Sequence, residues 1–209
     1  FNYATEQYDG AHSRYPNMVI FGSETVSAYY YRGVYFLEGE GSGDRCNEYP
    51  TYWTFSSATA SLEAHRDKTY TAGEFVWTGH DYLGEPTPRS WPSKSSYFGT
   101  IDTAGFAKDV VYMYKSMWTD TPTVHLLPQK WNFKAGQKVP VYIYTNAKSV
   151  ELFLNGKSLG IKNYDKQTAS PVYIYWTKGT SGLDYEAGEL KAVGYDQPDG
   201  KGNVIATDV

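Results

Sequence analysis

Residues 19–25 of the sequence read VIFGSET, three apolar residues that run into a glycine, a serine and then Glu24. A short apolar run bounded by turn residues is typical of a strand that is buried on both faces. In barrels and doubly wound sheets, the residue just beyond the carboxyl end of such a strand lies where catalysis takes place. Glu24 is therefore a candidate catalytic residue. The alternative is that it caps a following helix, because carboxylates favour helix amino termini.

Up to about Asp120, short apolar runs alternate with irregular polar segments and a few helical patterns. The stretch LGEPTPRSWPSKSS at residues 83–96 contains too much proline, serine and glycine for regular structure. The expected elements are a helix that ends over residues 11–15 before Pro16, the strand at VIFGSE, a second buried strand over residues 71–77 (TAGEFVW) and a helix over residues 107–118 (AKDVVYMYKSMW). This alternation of strands and helices predicts an α/β region.

From about Thr121 the pattern changes to short strands separated by turns. The predicted strands are residues 139–144, 149–154, 171–176 and 189–195. Asn155-Gly156 separates two of these apolar segments and is a strong signal for a tight hairpin, because both residues tolerate the positive φ angles of a type I′ turn. Four or more strands at this spacing predict an antiparallel β-sandwich. We place the domain boundary near Asp120-Thr121-Pro122.

The composition is typical of a globular protein and argues against nucleic-acid-binding and membrane-spanning classes. The chain has 209 residues, of which 41% are hydrophobic and 20% charged, so it is long and apolar enough to bury a substantial core. A net charge of −4 argues against a nucleic-acid-binding protein, and no apolar run is long enough to span a membrane. The sequence begins at Phe1, without an initiator methionine or a signal segment, which predicts a processed product or an expressed fragment.

Aromatic residues are abundant, with 21 Tyr, 6 Trp and 9 Phe. Tyrosine and tryptophan combine a flat apolar face with a polar tip, and that combination suits sugars, whose C–H faces stack on rings while their hydroxyls take hydrogen bonds. Aromatic residues are also favoured in β-sheets for packing reasons alone. The composition leaves both interpretations open.

The sequence gives little support to other chemistries. The four histidines lack metal-ligand spacing, and Cys46, the single cysteine, excludes an intramolecular disulfide and has no recognisable catalytic neighbour. The GEGSG segment at residues 39–43 reads as a loop and lacks the lysine and hydroxyl residue of a phosphate-binding loop. We therefore expect no metal and no cofactor.

Four segments together resemble the β-galactosidases of glycoside hydrolase family 2, in the same order and over essentially the whole chain. They are FGSETVSAYYYRGVY, AHRDKTYTAGEFVWTGHDYLGEPTP, SSYFGTIDTAGFAKDVVYMYKSMW and NAKSVELFLNGKSLG. The resemblance implies that residues 1–119 are the carboxyl-terminal part of a (β/α)8 TIM barrel and that residues 120–209 are the immunoglobulin-like β-sandwich domain that follows it. The change of pattern near Asp120 agrees with this division.

The resemblance also implies roles for four residues. Glu24 matches the nucleophile at the end of the seventh barrel strand, and Tyr3 matches the tyrosine whose hydroxyl hydrogen-bonds that nucleophile. Trp77 resembles the tryptophan at the floor of the sugar-binding subsite, although plain core packing is its alternative. Asp81, in the same loop, either binds sugar hydroxyls or anchors the loop. Retaining glycosidases need two carboxyl groups about 5 to 5.5 Å apart.

The second carboxyl group is not expected in this chain. In the family the acid/base glutamate follows an asparagine at the end of the fourth barrel strand, upstream of the nucleophile. Asn47-Glu48 follows Glu24 instead and lies in a polar loop, so the chain order is wrong. The first five barrel strands and the amino-terminal domains are absent as well. The isolated chain is therefore expected to be inactive, with the rest of the polypeptide as its partner in the intact enzyme.

The expected function is thus that of a fragment of a retaining exo-glycosidase that hydrolyses terminal β-galactosides. The stretch around WPSKSSYFG lacks the Asn-x-Lys motif with which β-glucuronidases of the family bind a sugar carboxylate, so a neutral sugar is favoured. β-Mannosidase and β-glucuronidase activities are alternatives, as is a non-catalytic carbohydrate-binding or structural module. A homo-oligomer is left open. A signal peptide preceding this segment would favour the periplasm or the cell exterior over the cytoplasm.

Overall fold

The computed structural model describes residues 1–33, 35, 51–87, 90–176 and 182–209. The chain divides into two compact units. Phe1–Arg32 and Thr51–Lys108 form the first, and Gly33–Pro50 with Asp109–Val209 form the second. The GEGSG segment, Cys46 and Asn47-Glu48 lie outside the described residues. The domain boundary between residues 119 and 120 stays a prediction.

Three α-helices occur in the described part of the chain, α1 (Tyr8–Arg14), α2 (Ala58–Asp67) and α3 (Asp109–Trp118), with short 3-10 helices at Thr5–Gln7 and Pro198–Gly200. The strands are β1 (Ile20–Gly22), β2 (Ser27–Tyr30), β3 (Thr51–Ser56), β4 (Thr71–Glu74), β5 (Val124–Leu127), β6 (Lys138–Val139), β7 (Tyr142–Thr145), β8 (Ser149–Leu154), β9 (Lys157–Asn163), β10 (Ile174–Tyr175), β11 (Leu183–Asp184), β12 (Leu190–Tyr195) and β13 (Val204–Asp208). Within these described ranges, none of the helices has the length and hydrophobicity that a membrane crossing requires.

The first unit is built on parallel strand pairing. β1 pairs with β4 in parallel, with Ile20 opposite Thr71 and Gly22 opposite Glu74. A parallel bridge between Asn2 and Glu24 adds the amino-terminal segment on the other side of β1. Strands β2 and β3 form a separate antiparallel pair. The predicted α/β character of this region is therefore present, together with antiparallel strands that the sequence patterns did not predict.

Helices cover one face of the parallel pair. On that face Gly22 lies against Tyr8 of α1 and His65 of α2, since a Cβ atom built on Gly22 would be 2.9 Å from the Tyr8 hydroxyl and 3.3 Å from His65 Nε2. The same Cβ would lie 2.0 Å from the Thr25 methyl group, a distance that real Cβ contacts do not reach. The glycine is thus required because the strand, the helices and Thr25 leave no space for a side chain.

The expectation that both strands are buried on both faces is wrong for this structure. Ile20 and Gly22 are buried, but Phe21 between them is exposed, and Phe75, just beyond β4, is 67% exposed. The regular part of the second strand also ends at Glu74 rather than at Trp77. Strand residues alternate between faces, and in the described residues the helices cover only one of them. An apolar groove is lined by Phe1, Ala11, Tyr15, Met18, Val19, Ile20 and Phe21.

A buried ion pair anchors the end of the first unit. Lys108 is 2% exposed, and its Nζ donates to Asp81 Oδ1 (2.7 Å) and to the carbonyls of Tyr30 (2.8 Å) and Tyr97 (3.2 Å). Asp81 Oδ1 also accepts from the backbone N–H of Gly99 (2.9 Å). Burial lowers the pKa of Lys108 and raises the pKa of Asp81, against the attraction between the two charges. The pair thus ties the segment of Lys108 to the end of strand β2, to the loop of Asp81 and to the segment of Tyr97.

The second unit is an antiparallel β-sandwich, as the strand pattern predicts. One sheet has the strand order β10-β7-β5, the other has the order β13-β12-β8-β9, and β11 pairs with β6. Their inner faces share one apolar core, to which Leu126, Ile143, Val150 and Ala192 belong. Burial of these side chains stabilises the sandwich by roughly 1.5 to 3 kcal/mol for each large aliphatic residue.

Two predicted strands differ from the observed ones. The run at residues 139–144 is divided into β6 and β7 by Pro140, which has no N–H to donate to a ladder. The run at residues 171–176 forms a regular strand only at Ile174–Tyr175. The hairpin prediction is confirmed, because Asn155 and Gly156 form the two-residue turn between β8 and β9 with φ angles of 51° and 76°.

Helix α3 belongs to the second unit, and a buried histidine connects it to the β-sandwich. His125 on β5 is buried, with Nε2 2.8 Å from Asp109 Oδ1 on α3 and Nδ1 3.5 Å from Asp208 Oδ2 on β13. The ring of Tyr112 stacks on His125 at a centroid distance of 3.8 Å, and the ring of Tyr144 on β7 lies 6.2 Å away. The imidazole therefore links one helix and two strands.

Both carboxylates beside His125 have further partners. The Tyr35 hydroxyl donates to Asp109 Oδ2 (3.0 Å), and Asp208 Oδ2 accepts from the Leu126 N–H (2.8 Å) and from Gln129 Nε2 (2.8 Å). Burial alone would lower the pKa of His125, but hydrogen bonds to Asp109 and Asp208 and their charges outweigh it and raise the pKa above 6.5. Burial likewise opposes ionisation of Asp208, yet His125 and the Leu126 N–H lower its pKa below 3.8.

We expect the stability of the second unit to depend on pH through this histidine. A raised histidine pKa gives a stabilisation that is complete below pH 6.5 and is lost as the pH rises through the folded-state pKa. The measurement is urea unfolding of the chain and of His125→Gln between pH 5 and pH 9, and the difference between the two unfolding free energies should shrink as the pH rises. His80→Gln, a change at an exposed histidine, is the control. A pH-independent difference for His125→Gln contradicts the expectation.

Candidate active site

Glu24 lies between two anchored stretches of backbone. On one side, the Ser23 N–H donates to the carbonyl of Phe1 (2.6 Å), and the Tyr3 N–H donates to the carbonyl of Glu24 itself (2.8 Å). On the other side, the Phe75 N–H donates to the carbonyl of Gly22 (2.9 Å). Glu24 therefore lies two residues beyond the carboxyl end of β1, held by extended segments on both sides, and its side chain is half-buried.

Tyr3 contacts Glu24 through its side chain as well as its backbone. Its hydroxyl donates a hydrogen bond to Glu24 Oε1. Burial, and then the hydrogen bond and charge of Glu24, raise the pKa of Tyr3 well above its ordinary value of 10. The phenol therefore stays protonated and acts as a donor to the carboxylate. Tyr3 has a φ of 54°, a left-handed conformation that costs a non-glycine residue about 1 kcal/mol or more and that recurs at functional sites.

Trp77 lies three residues beyond the carboxyl end of β4, in a parallel bridge with Ser27. Its indole is 39% exposed and meets the ring of Tyr82 edge to face, with the ring centroids 6.0 Å apart. Glu24 and Trp77 thus both follow the carboxyl ends of two strands that pair in parallel. This edge of a parallel sheet is where ligands bind in α/β proteins. An exposed indole at this edge is available as a stacking surface.

Asp81 has a different environment from the other candidates. It is buried, and the ion pair with Lys108 and the hydrogen bond from Gly99 both use Oδ1. A Cβ atom on Gly99 would lie 2.0 Å from the Asp81 nitrogen, so the two backbones are packed directly against each other. These contacts favour the loop-anchor alternative for Asp81 over direct binding of sugar hydroxyls.

The described residues bring together a carboxylate, a phenol that donates to it and an exposed indole on the same edge of the sheet. A carboxylate of this kind can attack an electrophilic carbon, and the aromatic side chain can support a sugar face. Asn47-Glu48, the pair weighed as a second carboxyl source, lies outside the described residues. Where the structure describes the chain, no three histidine, cysteine or carboxylate side chains are grouped closely enough to bind a metal ion.

The sequence patterns did not identify several polar residues that lie outside the candidate site but close to it. Thr25 Oγ1 and Ser61 Oγ both donate to Glu74 Oε2, which places a carboxylate directly behind the strand that bears Glu24. Lys108, which forms the buried ion pair with Asp81, was not identified from the sequence either. In the sequence, each of these polar residues stands alone in an apolar or helical segment, so no motif marks it. Folding of the chain brings them close to the candidate site.

A family model described as a domain of unknown function (DUF4982) matches residues 136–202. Beta-galactosidase BoGH2A from Bacteroides ovatus is 35% identical over 227 residues, which cover 99% of this chain and 25% of that protein. A beta-glucuronidase from Formosa agariphila is 27% identical over 128 residues, which cover 61% of this chain and 12% of that protein.

Solved structures resemble the chain over nearly its whole length. A beta-glycosidase from Bacteroides vulgatus superimposes with a TM-score of 0.75 and 30% identity, covering 96% of this chain and 28% of that one. A glycosyl hydrolase family 2 member from Bacteroides cellulosilyticus gives a TM-score of 0.65 at 25% identity, covering 99% of this chain and 26% of that one. The chain thus spans about a quarter of the length of these two proteins and of the Bacteroides ovatus relative.

Proposed function

This chain is homologous to members of glycoside hydrolase family 2, and we propose on that basis that it is a segment of a retaining exo-glycosidase with Glu24 as the nucleophile. The observation that carries the proposal is the hydrogen bond from Tyr3 to Glu24 at the end of a parallel strand. The positions of these two residues agree with the roles that the family resemblance implies for them.

In the proposed reaction, an oxygen of the Glu24 carboxylate attacks the anomeric carbon while the bond to the aglycone oxygen breaks. The aglycone oxygen takes a proton from a second carboxyl group, which the resemblance assigns to a part of the polypeptide upstream of this chain. Water then cleaves the glycosyl ester and gives its proton to that same group. Tyr3 holds Glu24 in one orientation throughout, because its hydroxyl stays protonated.

We further propose that residues 1–119 are the carboxyl-terminal part of a (β/α)8 barrel. The parallel register of Asn2 with Glu24 and of β1 with β4 supports this assignment, as do the helices on one face only. On the opposite face, exposed apolar side chains such as Val19, Phe21 and Phe75 form a surface of the kind that the interior of a barrel buries. The upstream barrel strands would cover it in the intact enzyme. Residues 120–209 would be the immunoglobulin-like domain.

For the substrate we propose a terminal β-galactoside. The β-galactosidase relative is 35% identical to this chain over 99% of this chain's length. The absence of an Asn-x-Lys motif near Lys94 also favours a neutral sugar. Hydrolysis of aryl β-galactoside, β-glucuronide and β-mannoside by the full-length enzyme tests the specificity. A kcat/KM that is highest for the glucuronide would replace the galactoside with that alternative.

The isolated 209-residue chain should not turn over even activated aryl β-galactosides. Such substrates need no acid to protonate the leaving group, but they still need an assembled subsite, and most of the proposed barrel lies outside this chain. The measurement is release of the aryl alcohol by the purified chain, beside equilibrium binding of galactose, which separates a catalytic segment from a non-catalytic carbohydrate-binding module. Hydrolysis that is lost on Glu24→Gln would show that this chain supplies the whole site.

A further inference from the structure

The carboxylate of Glu74 is placed in an unusual position for a strand residue. Its Oε2 accepts hydrogen bonds from Thr25 Oγ1 and from Ser61 Oγ of helix α2. Oε1 is also buried, and it lacks a hydrogen-bond partner among the residues that the structure describes. A buried carboxylate costs free energy unless hydrogen bonds or charges compensate it. Glu74 is therefore a polar group that packing alone does not explain.

The contact with Thr25 matters because Thr25 is the residue immediately after Glu24. Thr25 is 1% exposed, its N–H donates to the carbonyl of Phe75 (3.2 Å), and its methyl group leaves no room for a Cβ on Gly22. Together with the Phe75 N–H bond to Gly22, β4 and the residue after it fix the backbone on both sides of Ser23-Glu24. The hydroxyl of Thr25 adds a side-chain hydrogen bond, to Glu74, to these backbone contacts.

Tyr8 and His65 are among the groups that interact with the charge of Glu74. The Tyr8 hydroxyl lies 3.3 Å from His65 Nε2, and His65 Nδ1 lies 3.3 Å from Thr71 Oγ1. Burial, and then the charge of Glu74, raise the pKa of Tyr8 to about 12. Burial lowers the pKa of His65, although Glu74 opposes this effect. The groups that face Glu74 are thus neutral donors and acceptors at neutral pH.

We propose that Glu74 is a positioning residue that sets the orientation of the Glu24 carboxylate through the hydroxyl of Thr25. The proposal rests on the proposed function in so far as Glu24 is the nucleophile. Under this proposal, a residue that packs against helix α2 affects the reaction at Glu24, which lies at the end of the strand. A misplacement of about 1 Å costs on the order of 10²-fold in rate, so a small movement of Glu24 is sufficient for a measurable effect.

Four variants of the full-length enzyme separate positioning from general stability. Thr25→Val and Glu74→Leu remove the two sides of the hydrogen bond, and each should lower kcat by about 10- to 100-fold with little change in KM. Glu74→Gln keeps a carbonyl oxygen that accepts from both hydroxyls and should retain kcat. Ser61→Ala removes the other donor, which is not attached to the Glu24 strand, and should also retain kcat. Rates are expressed per active site, titrated with a 2-deoxy-2-fluoro galactoside that traps the glycosyl ester.

A second measurement needs no turnover. In the 209-residue chain, the pKa of Tyr3 reports the contact with Glu24 and is followed by NMR of ¹³C-labelled tyrosine, with Tyr3→Phe to assign the signal. Thr25→Val and Glu74→Leu should lower the pKa of Tyr3, because the hydrogen bond and charge of Glu24 raise it in addition to burial, whereas Ser61→Ala should leave it unchanged. A Tyr3 pKa and a kcat that both stay at the wild-type values in Thr25→Val overturn the proposal. Inactivity of the full-length wild type would refute the proposed function alone, because the titration of Tyr3 still decides whether Glu74 fixes Glu24.

Discussion

Replacing Glu24 with glutamine in the full-length enzyme is expected to lower kcat by about 10⁴-fold or more, the size of loss seen when one essential catalytic group is removed from a hydrolase. An amide oxygen is a poor nucleophile and does not form the glycosyl ester, while the volume and the hydrogen bond from Tyr3 are kept. The measurement is steady-state hydrolysis of an aryl β-galactoside. Glu6→Gln, at an exposed glutamate of the same unit, is the matched control and should retain the wild-type rate.

Chemical rescue identifies which of the two carboxyl roles Glu24 has. Glu24→Ala leaves a space on the face of the sugar that the nucleophile attacks, and azide placed there should restore turnover with an activated aryl galactoside. The azide attacks from the side opposite to the leaving group, so the product should be the α-galactosyl azide. A β-configured azide would instead assign Glu24 as the acid/base, and wild-type activity in Glu24→Gln would remove it from the reaction altogether.

Replacing Lys108 with methionine should destabilise the first unit by about 3 to 5 kcal/mol, because it leaves the Asp81 carboxylate buried without its cation. The three acceptors of the ammonium group would lose their donor at the same time. Urea unfolding of the 209-residue chain, followed by tryptophan fluorescence, measures the effect. Lys138→Met removes an exposed ion pair with Asp184 and should leave the unfolding midpoint nearly unchanged.

A double variant tests whether the pair itself is responsible. Asp81→Leu combined with Lys108→Met removes both charges, so it should cost clearly less than the sum of the two single changes. Additive effects would mean that each residue stabilises the unit independently, through the backbone contacts of Asp81 with Gly99 and of Lys108 with Tyr30 and Tyr97.

The elements that sequence patterns predicted well are those whose signals are local. The Asn155-Gly156 hairpin needs two residues that accept positive φ, and helix α3 shows its apolar spacing within three turns. The sequence pattern predicted that β1 is buried on both faces, but only one face is covered. An apolar run shows that a strand is suited to burial and does not show which of its faces other elements cover. Roles for Glu24 and Tyr3 came from the family resemblance, since a Gly-Ser-Glu sequence also fits a helix cap.

The polar residues behind the site could not be predicted for a physical reason. Thr25 and Glu74 are 49 residues apart in the chain, and Asp81 and Lys108 are 27 apart. Such pairs form between strands, loops and helices whose mutual placement depends on the whole fold. No local periodicity or turn motif marks them, so the half-buried glutamate in TAGEFVW reads as an ordinary polar strand residue until the register of β1 and β4 is known.

The burial of Lys108 has a consequence for the covalent chemistry of the folded chain. Amines react with acylating reagents only when they are deprotonated and reachable, and all the hydrogens of this ammonium group are directed at protein oxygens. Exposed amines such as that of Lys138 are open to reagent in the native state, whereas Lys108 becomes accessible only when the loop at Asp81, strand β2 and the segment around Tyr97 separate. The rate at which Lys108 is acylated therefore reports how often the first unit opens locally.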